Sequence, residues 1–215
     1  ETNEGDAAGL PKSLGTIVHH DFRHHNLLLT DDLQVKISDF NTAQLMMWDA
    51  EKDKSCDFWW ENKHCGSTRW GGDRSPEECA GDQVNTVTQK AEVFHLGAVL
   101  HFLLSKKLWP YISSSFWKDG DHLFRLEGND EDVYNEKDVA RKVRSLILNG
   151  TQPPLPPEVL KSNDPAIKAI LEAREKALTY DAKKRPSAMD IAHMLEKAVA
   201  KELGNRDDPI DSDHA

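Results

Sequence analysis

The sequence predicts a mainly α domain with a small β-hairpin near its N-terminal end. The first observation is the stretch Ala91–Leu104, which is apolar nearly all the way round and therefore fits a helix in the middle of a domain. The second is a series of capped, amphipathic segments that follows residue 135. The third is a pair of short apolar runs within residues 27–38, which a tight turn separates.

Composition limits the class of protein. The chain has 215 residues, with 27 Lys and Arg against 37 Asp and Glu, giving a net charge of −10. This length suits one large domain or two small ones. The acidic balance argues against nucleic acid as a partner, because phosphate binding needs clustered Lys and Arg. No apolar run of about 18 residues exists, so no membrane segment is predicted in this chain.

The three cysteines, Cys56, Cys65 and Cys79, are an odd number and do not form a disulfide framework. We therefore expect free thiols and an intracellular, cytoplasmic protein. A zinc site that includes His64 is an alternative, although the cysteine spacings match no common zinc knuckle. The chain starts at Glu1 rather than Met, which leaves open a targeting segment or a longer membrane protein.

The elements before residue 40 are predicted from short patterns. Residues 1–15 show no sustained period and are expected to form a flexible lead-in. Thr16–Val18 and Leu27–Thr30 are predicted strands on either side of a His-rich loop. Leu33–Ser38 alternates apolar and polar residues after a turn at residues 31–32, so it forms a hairpin with the preceding strand.

Two long stretches have loop composition. Residues 41–90 contain four scattered Trp and charges without a period, and we expect these Trp side chains to pack onto the body. Residues 111–135 also read as a loop, and their acidic part, 119–132, is expected to be a solvated insertion.

The C-terminal third predicts helices with clear ends. Glu136–Leu148 is amphipathic and is followed by Asn149-Gly150, a C-terminal stop. Residues 153–157 are proline-rich and extended, as a rigid connector or alternatively as an SH3 or WW ligand. Asp164-Pro165 starts the next helix, and Ser187-x-x-Asp190 starts the last. Residues 204–215 are expected to form an acidic, disordered tail.

One loop concentrates the groups that carry chemistry. The run from Val18 to Asn26 contains a carboxylate, Asp21, and a carboxamide, Asn26. A second carboxylate, Asp39, follows the neighbouring strand of the hairpin. Phosphoryl transfer needs such a set, because one carboxylate accepts a hydroxyl proton while the other oxygens ligate magnesium.

This run resembles the catalytic loop of protein kinases, H-R-D-L-x-x-x-N, and Asp39-Phe40-Asn41 resembles their D-F-G motif. Over residues 16–203 the chain is similar to the C-terminal lobe of a protein kinase domain, with the catalytic loop at 19–26 and the activation segment at 39–77. Arg69-Trp70 is similar to the tyrosine-kinase-like group. The other matching motifs are Gly66–Trp70 with Ser75-Pro76-Glu77 for G-T-x-R-W…A-P-E, Glu92–Gly97 for D-V-W-S-x-G, and Lys184–Ser187 for R-P-S.

The resemblance implies a role for each matching residue. Asp21 would be the catalytic base, and Arg23 takes the place of the phosphate-contacting Lys of serine/threonine kinases. Asn26 and Asp39 would ligate Mg and so bind ATP. The protein substrate would be phosphorylated on Ser or Thr, less readily on Tyr. The structural residues would be His19 and Glu92, which hold the catalytic loop, and Glu77 and Arg185, which form a buried ion pair.

The chain departs from the kinase pattern at several positions. His20 replaces an Arg that pairs with an activation-loop phosphate, and Asn41 replaces the glycine of D-F-G. Glu92 replaces an aspartate. The residues before Asp21 contain no Gly-rich loop and no V-A-I-K lysine, so we expect the N-terminal lobe to be absent and ATP·Mg to bind weakly.

Two other functions remain open from the sequence. A pseudokinase or interaction module is favoured by His20, by Asn41 and by the expected absence of the N-terminal lobe. A metal-dependent phosphohydrolase would use the His20-Asp21 pair, and the histidines of the loop would then supply metal ligands. These histidines are His19, His20, His24 and His25.

Overall fold

The computed structural model describes residues 16–46, 48–49, 54–55, 73–80 and 89–204. Several sequence predictions lie outside these ranges: the lead-in at 1–15, the motif at 66–70, the tail at 205–215 and most of the activation segment. The side chains Cys56, His64, Cys65, Trp59, Trp60 and Trp70 also lie outside them.

The described residues contain short strands and longer helices. The strands are β1 (Thr16–Val18), β2 (Leu27–Leu29), β3 (Val35–Ile37), β4 (Gln44–Met46), β5 (Trp48–Asp49), β6 (Lys54–Ser55), β7 (Ile112–Lys118), β8 (Asp121–Leu126) and β9 (Asn129–Asn135). The helices are α1 (Pro76–Cys79), α2 (Gln89–Ser105), α3 (Glu136–Leu148), α4 (Pro157–Leu160), α5 (Pro165–Ala177) and α6 (Ala188–Gly204).

The strands before residue 60 form two-stranded antiparallel pairs. Strands β2 and β3 make the predicted hairpin, with Leu28 opposite Lys36. Strand β1 pairs with β4, and β5 pairs with β6. The β1–β4 pair brings the chain on both sides of the hairpin together, so the loop between β1 and β2 lies beside the segment that follows β3.

Helix α2 is the central helix, as its apolar sequence predicts. It packs against α5, and Val93 and Leu100 share a core with Ala173, Ala177 and Ile191. Gly97 makes this close contact possible, because a Cβ atom there would lie 2.7 Å from Leu178 Cδ2. A side chain at this position would therefore push the two helices apart.

The predicted helix starts carry the expected caps. Asp164 accepts hydrogen bonds from the backbone N–H groups of Ala166 and Ile167, directly before α5. Ser187 and Asp190 bond reciprocally at the start of α6. Each cap satisfies backbone donors that the first helical turn leaves without a partner.

Residues 112–135 form a three-stranded antiparallel sheet in the order β7-β8-β9. The prediction of a loop with a solvated acidic insertion is wrong here. The sheet packs against α3, where Phe124 and Leu126 meet Val139 and Val143 in a second core. Cross-strand contacts add to this, since Trp117 stacks on His122 with ring centroids 4.7 Å apart.

This sheet also corrects the predicted fold class. We expected a mainly α domain with one small hairpin, whereas the described residues hold four separate sheets. The acidic and serine-rich composition of β7–β9 hid strands that are stabilised by packing on one face only. The domain combines α-helices with several small antiparallel sheets.

Cys79 is disulfide-bonded, and its partner lies outside the described residues. The prediction that the cysteines are free thiols is therefore wrong for Cys79. An odd number of cysteines excludes complete pairing but permits one disulfide. Within the described ranges, no helix has the length and hydrophobicity needed to cross a membrane.

Candidate active site

The loop from His19 to Asn26 connects β1 to β2 and is largely buried. It passes through His20, which has a positive φ of 60°, and ends in a short 3-10 turn at His24–Asn26. Left-handed backbone at a non-glycine residue costs free energy and persists only where surrounding contacts hold it. The loop is therefore fixed from outside by other elements.

Asp21 lies at the centre of this loop, with 7% of its surface exposed. The Asn26 side-chain N–H donates to Asp21 Oδ2 over 3.0 Å and to the Asp21 carbonyl over 2.8 Å. Arg23 Nη2 lies 2.7 Å from Asp21 Oδ1. The two carboxylate oxygens are thus oriented separately, one by an amide and one by a guanidinium.

Arg23 bridges two carboxylates. Besides its contact with Asp21, its Nη2 atom lies 3.1 Å from Asp73 Oδ2. Asp73 precedes α1, so Arg23 joins the catalytic loop to the end of the segment that the sequence identified as the activation segment. Asp73 was not predicted as a site residue, because it lies outside the motifs at residues 66–70 and 75–77 that resemble those of protein kinases.

Asp39 is placed next to the loop by the residue before it. The Ser38 N–H donates to the Asn26 carbonyl over 2.8 Å, and the Ser38 carbonyl lies 2.9 Å from His19 Nε2. Asp39 itself is exposed and has a φ of 63°. The structure therefore places the Asp39 backbone next to the catalytic loop, which contains Asp21 and Asn26.

Asn41, which replaces the glycine of the D-F-G motif, does not have a positive φ. The left-handed residue is Asp39, while Asn41 lies inside a 3-10 turn at Phe40–Thr42. A 3-10 turn needs only right-handed backbone, which asparagine adopts without strain. Asparagine in place of glycine therefore causes no backbone strain at this position.

Glu92 contacts the catalytic loop from helix α2. Its Oε1 accepts the backbone N–H of His20 over 2.8 Å. Its other oxygen, Oε2, lies 3.7 Å from His95 Nδ1 one turn further along α2. The extra methylene of glutamate relative to aspartate still allows the side chain to reach the loop.

Glu77 and Arg185 lie together, although they are 108 residues apart in the sequence. Arg185 Nη1 donates to Glu77 Oε1 over 2.7 Å and Nη2 donates to Oε2 over 3.1 Å. This is a bidentate pair around an arginine side chain with no exposed surface. It ties α1 to the turn before α6.

Three charged residues beside the loop were missed from the sequence: Arg74, Glu78 and His95. Glu78 is completely buried and accepts hydrogen bonds from the Ser75 backbone and hydroxyl. Its Oε2 lies 2.8 Å from His95 Nε2, and its Oε1 lies 3.1 Å from Arg74 Nη1. The cap signal was visible in the sequence, because Ser75 and Glu78 have capping-box spacing.

Burial and neighbouring charges have opposite effects on the pKa values of the buried pair His95 and Glu78. Burial alone would lower the pKa of His95, but the Glu78 and Glu92 carboxylates outweigh it and raise the pKa to about 10. Burial would likewise raise the pKa of Glu78, yet His95, Arg74 and Ser75 together hold it well below its usual range. At neutral pH the pair is therefore an imidazolium facing a carboxylate.

The loop histidines do not come together as metal ligands. His24 stacks on Phe102 with ring centroids 4.2 Å apart and contacts His25, whereas His19 and His20 are buried on other partners. Burial is the largest cause that lowers the pKa values of His20, His24 and His25. Within the part of the chain that the structure describes, no three metal-ligating side chains converge.

The oxygen atoms of Asn26 and Asp39 suit a hard cation. The Asn26 amide nitrogen is directed at Asp21, which leaves the carboxamide oxygen as its ligating atom. Asp39 adds an exposed carboxylate. Magnesium binds oxygen ligands of these two kinds, so the residues present fit the ion. A buried carboxylate beside such ligands is the set of groups that phosphoryl transfer requires.

Comparison with known proteins agrees with this class of site. The family model of the protein kinase domain matches residues 13–195, and the chain belongs to the protein kinase family. It is 26% identical over 183 residues to the dual specificity protein kinase shkD of Dictyostelium discoideum, covering 85% of this chain and 19% of that relative. It is 28% identical over 159 residues to a G-type lectin S-receptor-like serine/threonine-protein kinase, LECRK1, of Oryza sativa subsp. japonica. This second match covers 67% of the chain and 18% of the relative, so the chain spans about a fifth of either protein.

The family match corrects a further prediction. We expected a C-terminal lobe alone, with the N-terminal lobe absent. The match begins at residue 13 and takes in the strands of the N-terminal part, so that expectation is wrong. The predicted weak binding of ATP·Mg rested on the same absence and is withdrawn with it.

Proposed function

We propose that this domain transfers the γ-phosphate of ATP to Ser or Thr hydroxyls of a protein substrate. The observation that carries the proposal is the buried Asp21, whose carboxylate oxygens are oriented by Arg23 and Asn26. Kinship with serine/threonine and dual specificity kinases supports the reaction class and the choice of hydroxyl. Arg23 supports it as well, because tyrosine kinases usually have alanine at this position.

Asp21 would act as the catalytic base. It would accept the proton of the substrate hydroxyl as that oxygen approaches phosphorus, and the Asn26 hydrogen bond would keep the accepting oxygen in place. Arg23 would balance the charge near the reacting groups. Because Arg23 also contacts Asp73, the activation segment would help to set its position.

Asn26 and Asp39 would bind magnesium through their side-chain oxygens and so hold ATP. When bound, the ion neutralises charge on the phosphates during transfer. The hydrogen bonds from Ser38 to Asn26 keep the two ligand positions in register. His19 supports the same register through its contact with the Ser38 carbonyl.

A pseudokinase is the second candidate, and one observation favours it. Arg23 is held between Asp21 and Asp73, so its charge is already compensated by two carboxylates. A domain with this arrangement could bind protein partners through the kinase fold without transferring phosphate. A measurement of phosphate transfer distinguishes the active kinase from the pseudokinase.

The test is phosphate transfer from γ-labelled ATP, with magnesium, by the longest natural protein that contains this chain. Replacing the base in Asp21→Asn should lower transfer by a factor of about 10² to 10⁴, which is the usual contribution of general base catalysis. The matched control is Asp32→Asn in the hairpin turn, an exposed aspartate outside the site. Equal transfer by wild type and Asp21→Asn, or none by either, would favour the pseudokinase.

A further inference from the structure

A closed ring of polar contacts surrounds the backbone of His20. The His20 carbonyl accepts a hydrogen bond from Arg74 Nη1, which also donates to Glu78. Glu78 contacts His95, and His95 contacts Glu92. Glu92 returns to the starting point by accepting the His20 N–H over 2.8 Å. The two peptide groups that flank His20 are therefore held from both sides.

The ring joins three parts of the fold. Arg74 lies just before α1 and Glu78 lies within it, His95 and Glu92 lie on α2, and His20 lies in the catalytic loop. Three of the four side chains are shielded from solvent, with relative exposures of 3% for Arg74, 0% for Glu78 and 2% for His95, whereas the Glu92 side chain is 20% exposed. Shielding strengthens each contact, and it also makes the loss of any one partner costly.

Charge explains why the ring stays closed. Arg74 and protonated His95 supply two positive charges, while Glu78 and Glu92 supply two negative charges, so the four side chains balance. His95 lies between the two carboxylates and needs its proton to bridge them. If Glu78 lost its charge, Arg74 would lose its buried carboxylate partner, and His95 would keep only the Glu92 carboxylate, 3.7 Å from its Nδ1.

We propose that Arg74, Glu78 and His95 are positioning residues that fix the His20 backbone and, through it, the direction of Asp21. His20 has a positive φ of 60° and precedes Asp21 directly. Without the ring, that residue relaxes to ordinary backbone and the Asp21 peptide rotates with it. The catalytic consequence rests on the proposed function, whereas the effect on the backbone does not.

The first test uses Glu78→Gln, with Glu77→Gln as its matched control. The two glutamates are neighbours on α1, and each faces a buried cation, but only Glu78 belongs to the ring. Amide hydrogen exchange at His20 and Asp21, followed by NMR, measures how firmly the backbone is held. Glu78→Gln should speed this exchange by about tenfold or more, after correction for the change in global stability.

In the control Glu77→Gln, exchange at His20 and Asp21 should change only as global stability changes. Equal corrected exchange in both variants would overturn the proposal. If Glu78→Gln does not fold, Arg74→Lys serves instead, because it keeps the charge but loses the guanidinium, whose Nη1 donates to both His20 and Glu78 and whose Nη2 lies 3.9 Å from Asp21 Oδ1. Unchanged corrected exchange in Arg74→Lys would also overturn it.

Kinetics test the catalytic consequence separately. In Glu78→Gln, kcat for phosphate transfer should fall by about tenfold while KM for the protein substrate stays nearly constant, as expected when only the transition-state geometry suffers. Faster exchange with unchanged kcat would overturn the positioning role. If wild type shows no transfer, the proposed function fails, and the exchange measurement still decides whether the ring holds the loop.

Discussion

The side chain with the largest expected effect on stability is Arg185. It is buried, it makes a bidentate pair with Glu77, and it also donates to the Thr179 carbonyl. Arg185→Ala should lower the free energy of unfolding by about 3–5 kcal/mol, because Glu77 would be left without its buried partner. Urea denaturation followed by circular dichroism measures the change.

The control for this variant is Arg141→Ala. Arg141 pairs with Asp138 on the surface of α3, where both side chains are largely exposed. Exposed pairs of this kind contribute about 0–1 kcal/mol. If Arg185→Ala and Arg141→Ala shift the urea midpoint by the same amount, the Glu77–Arg185 pair does not anchor the fold.

Sequence motifs located part of the site at the residue scale. Asp21, Asn26 and the Glu77–Arg185 positions follow from spacing and resemblance, and the structure brings the residues of each set together. Arg74 and His95 could not be found in this way, because their partners are fixed by tertiary contacts between α1, α2 and the loop. The role of a charged residue near a motif can be assigned only when the fold shows which residue it pairs with.

The close contact between α2 and α5 depends on Gly97, because glycine has no side chain. Gly97→Ala would gain about 1 kcal/mol of helix propensity. The new Cβ atom, however, would lie 2.8 Å from Leu178 Cγ and 3.1 Å from Ala177 Cβ. Overpacking of a core usually costs about 1–3 kcal/mol, so we expect a net loss of stability in thermal or urea unfolding.

Gly204→Ala is the matched control for this helix contact. Gly204 is the last residue of α6, and nothing lies within 4 Å of the position its Cβ would take. The control should leave stability unchanged or raise it slightly. A Gly97→Ala protein at least as stable as wild type would show that α2 and α5 do not approach closely at this point.

The sheet of β7, β8 and β9 shows where element prediction failed. The turn was visible, since Asp119-Gly120 is a typical hairpin dipeptide and both residues have positive φ. The strands carry serine at residues 113–115 and acidic residues at 130–132, which imitates loop composition. Only packing of Phe124 and Leu126 against α3 distinguishes them from a loop.

Two buried histidines on α2 predict how stability depends on pH across the whole molecule. His101 accepts a hydrogen bond from Arg174 Nε, and burial, followed by the charges of Arg174 and Lys107, lowers its pKa to about 3. His95 has its pKa raised to about 10. Histidine in an unfolded chain has a pKa near 6.5. His101 therefore changes the free energy of unfolding below this pH, and His95 changes it above this pH.

Taken alone, these two histidines make stability greatest near pH 6.5, and the lowered pKa values of His20, His24 and His25 add to the loss below that pH. Below it, the unfolded chain binds a proton at His101 that the folded protein does not, which costs about 2 kcal/mol by pH 5. Above it, the unfolded chain releases the proton that folded His95 retains, which costs about 2–3 kcal/mol by pH 8.5. Urea midpoints measured from pH 5 to 9 test the curve.

One variant tests the loss of stability below pH 6.5, and a second variant tests the loss above it. His101→Asn keeps a hydrogen-bond acceptor for Arg174 and should reduce the loss of stability below pH 6.5 without abolishing it, because His20, His24 and His25 also have lowered pKa values. His95→Gln removes the titrating histidine of the ring and should abolish the loss of stability above pH 6.5 alone. A wild-type midpoint that is independent of pH in this range would contradict both assignments.

Periodicity and capping were enough to predict most of the helical architecture. The central helix, the hairpin and the capped starts of α5 and α6 all appear where the patterns place them. The long-range arrangement depends on contacts that no local pattern contains, such as the pairing of β1 with β4. The disulfide at Cys79 is of the same kind, because an odd cysteine count does not say which residues pair.

The most direct test of the central claim is phosphoamino acid analysis of a protein substrate after incubation with γ-labelled ATP and magnesium. The wild-type protein that contains this chain should leave label on serine and threonine, and Asp21→Asn should leave almost none. Label that appears equally with both proteins, or only as free inorganic phosphate, would contradict the assignment of Asp21 as the base of a protein kinase.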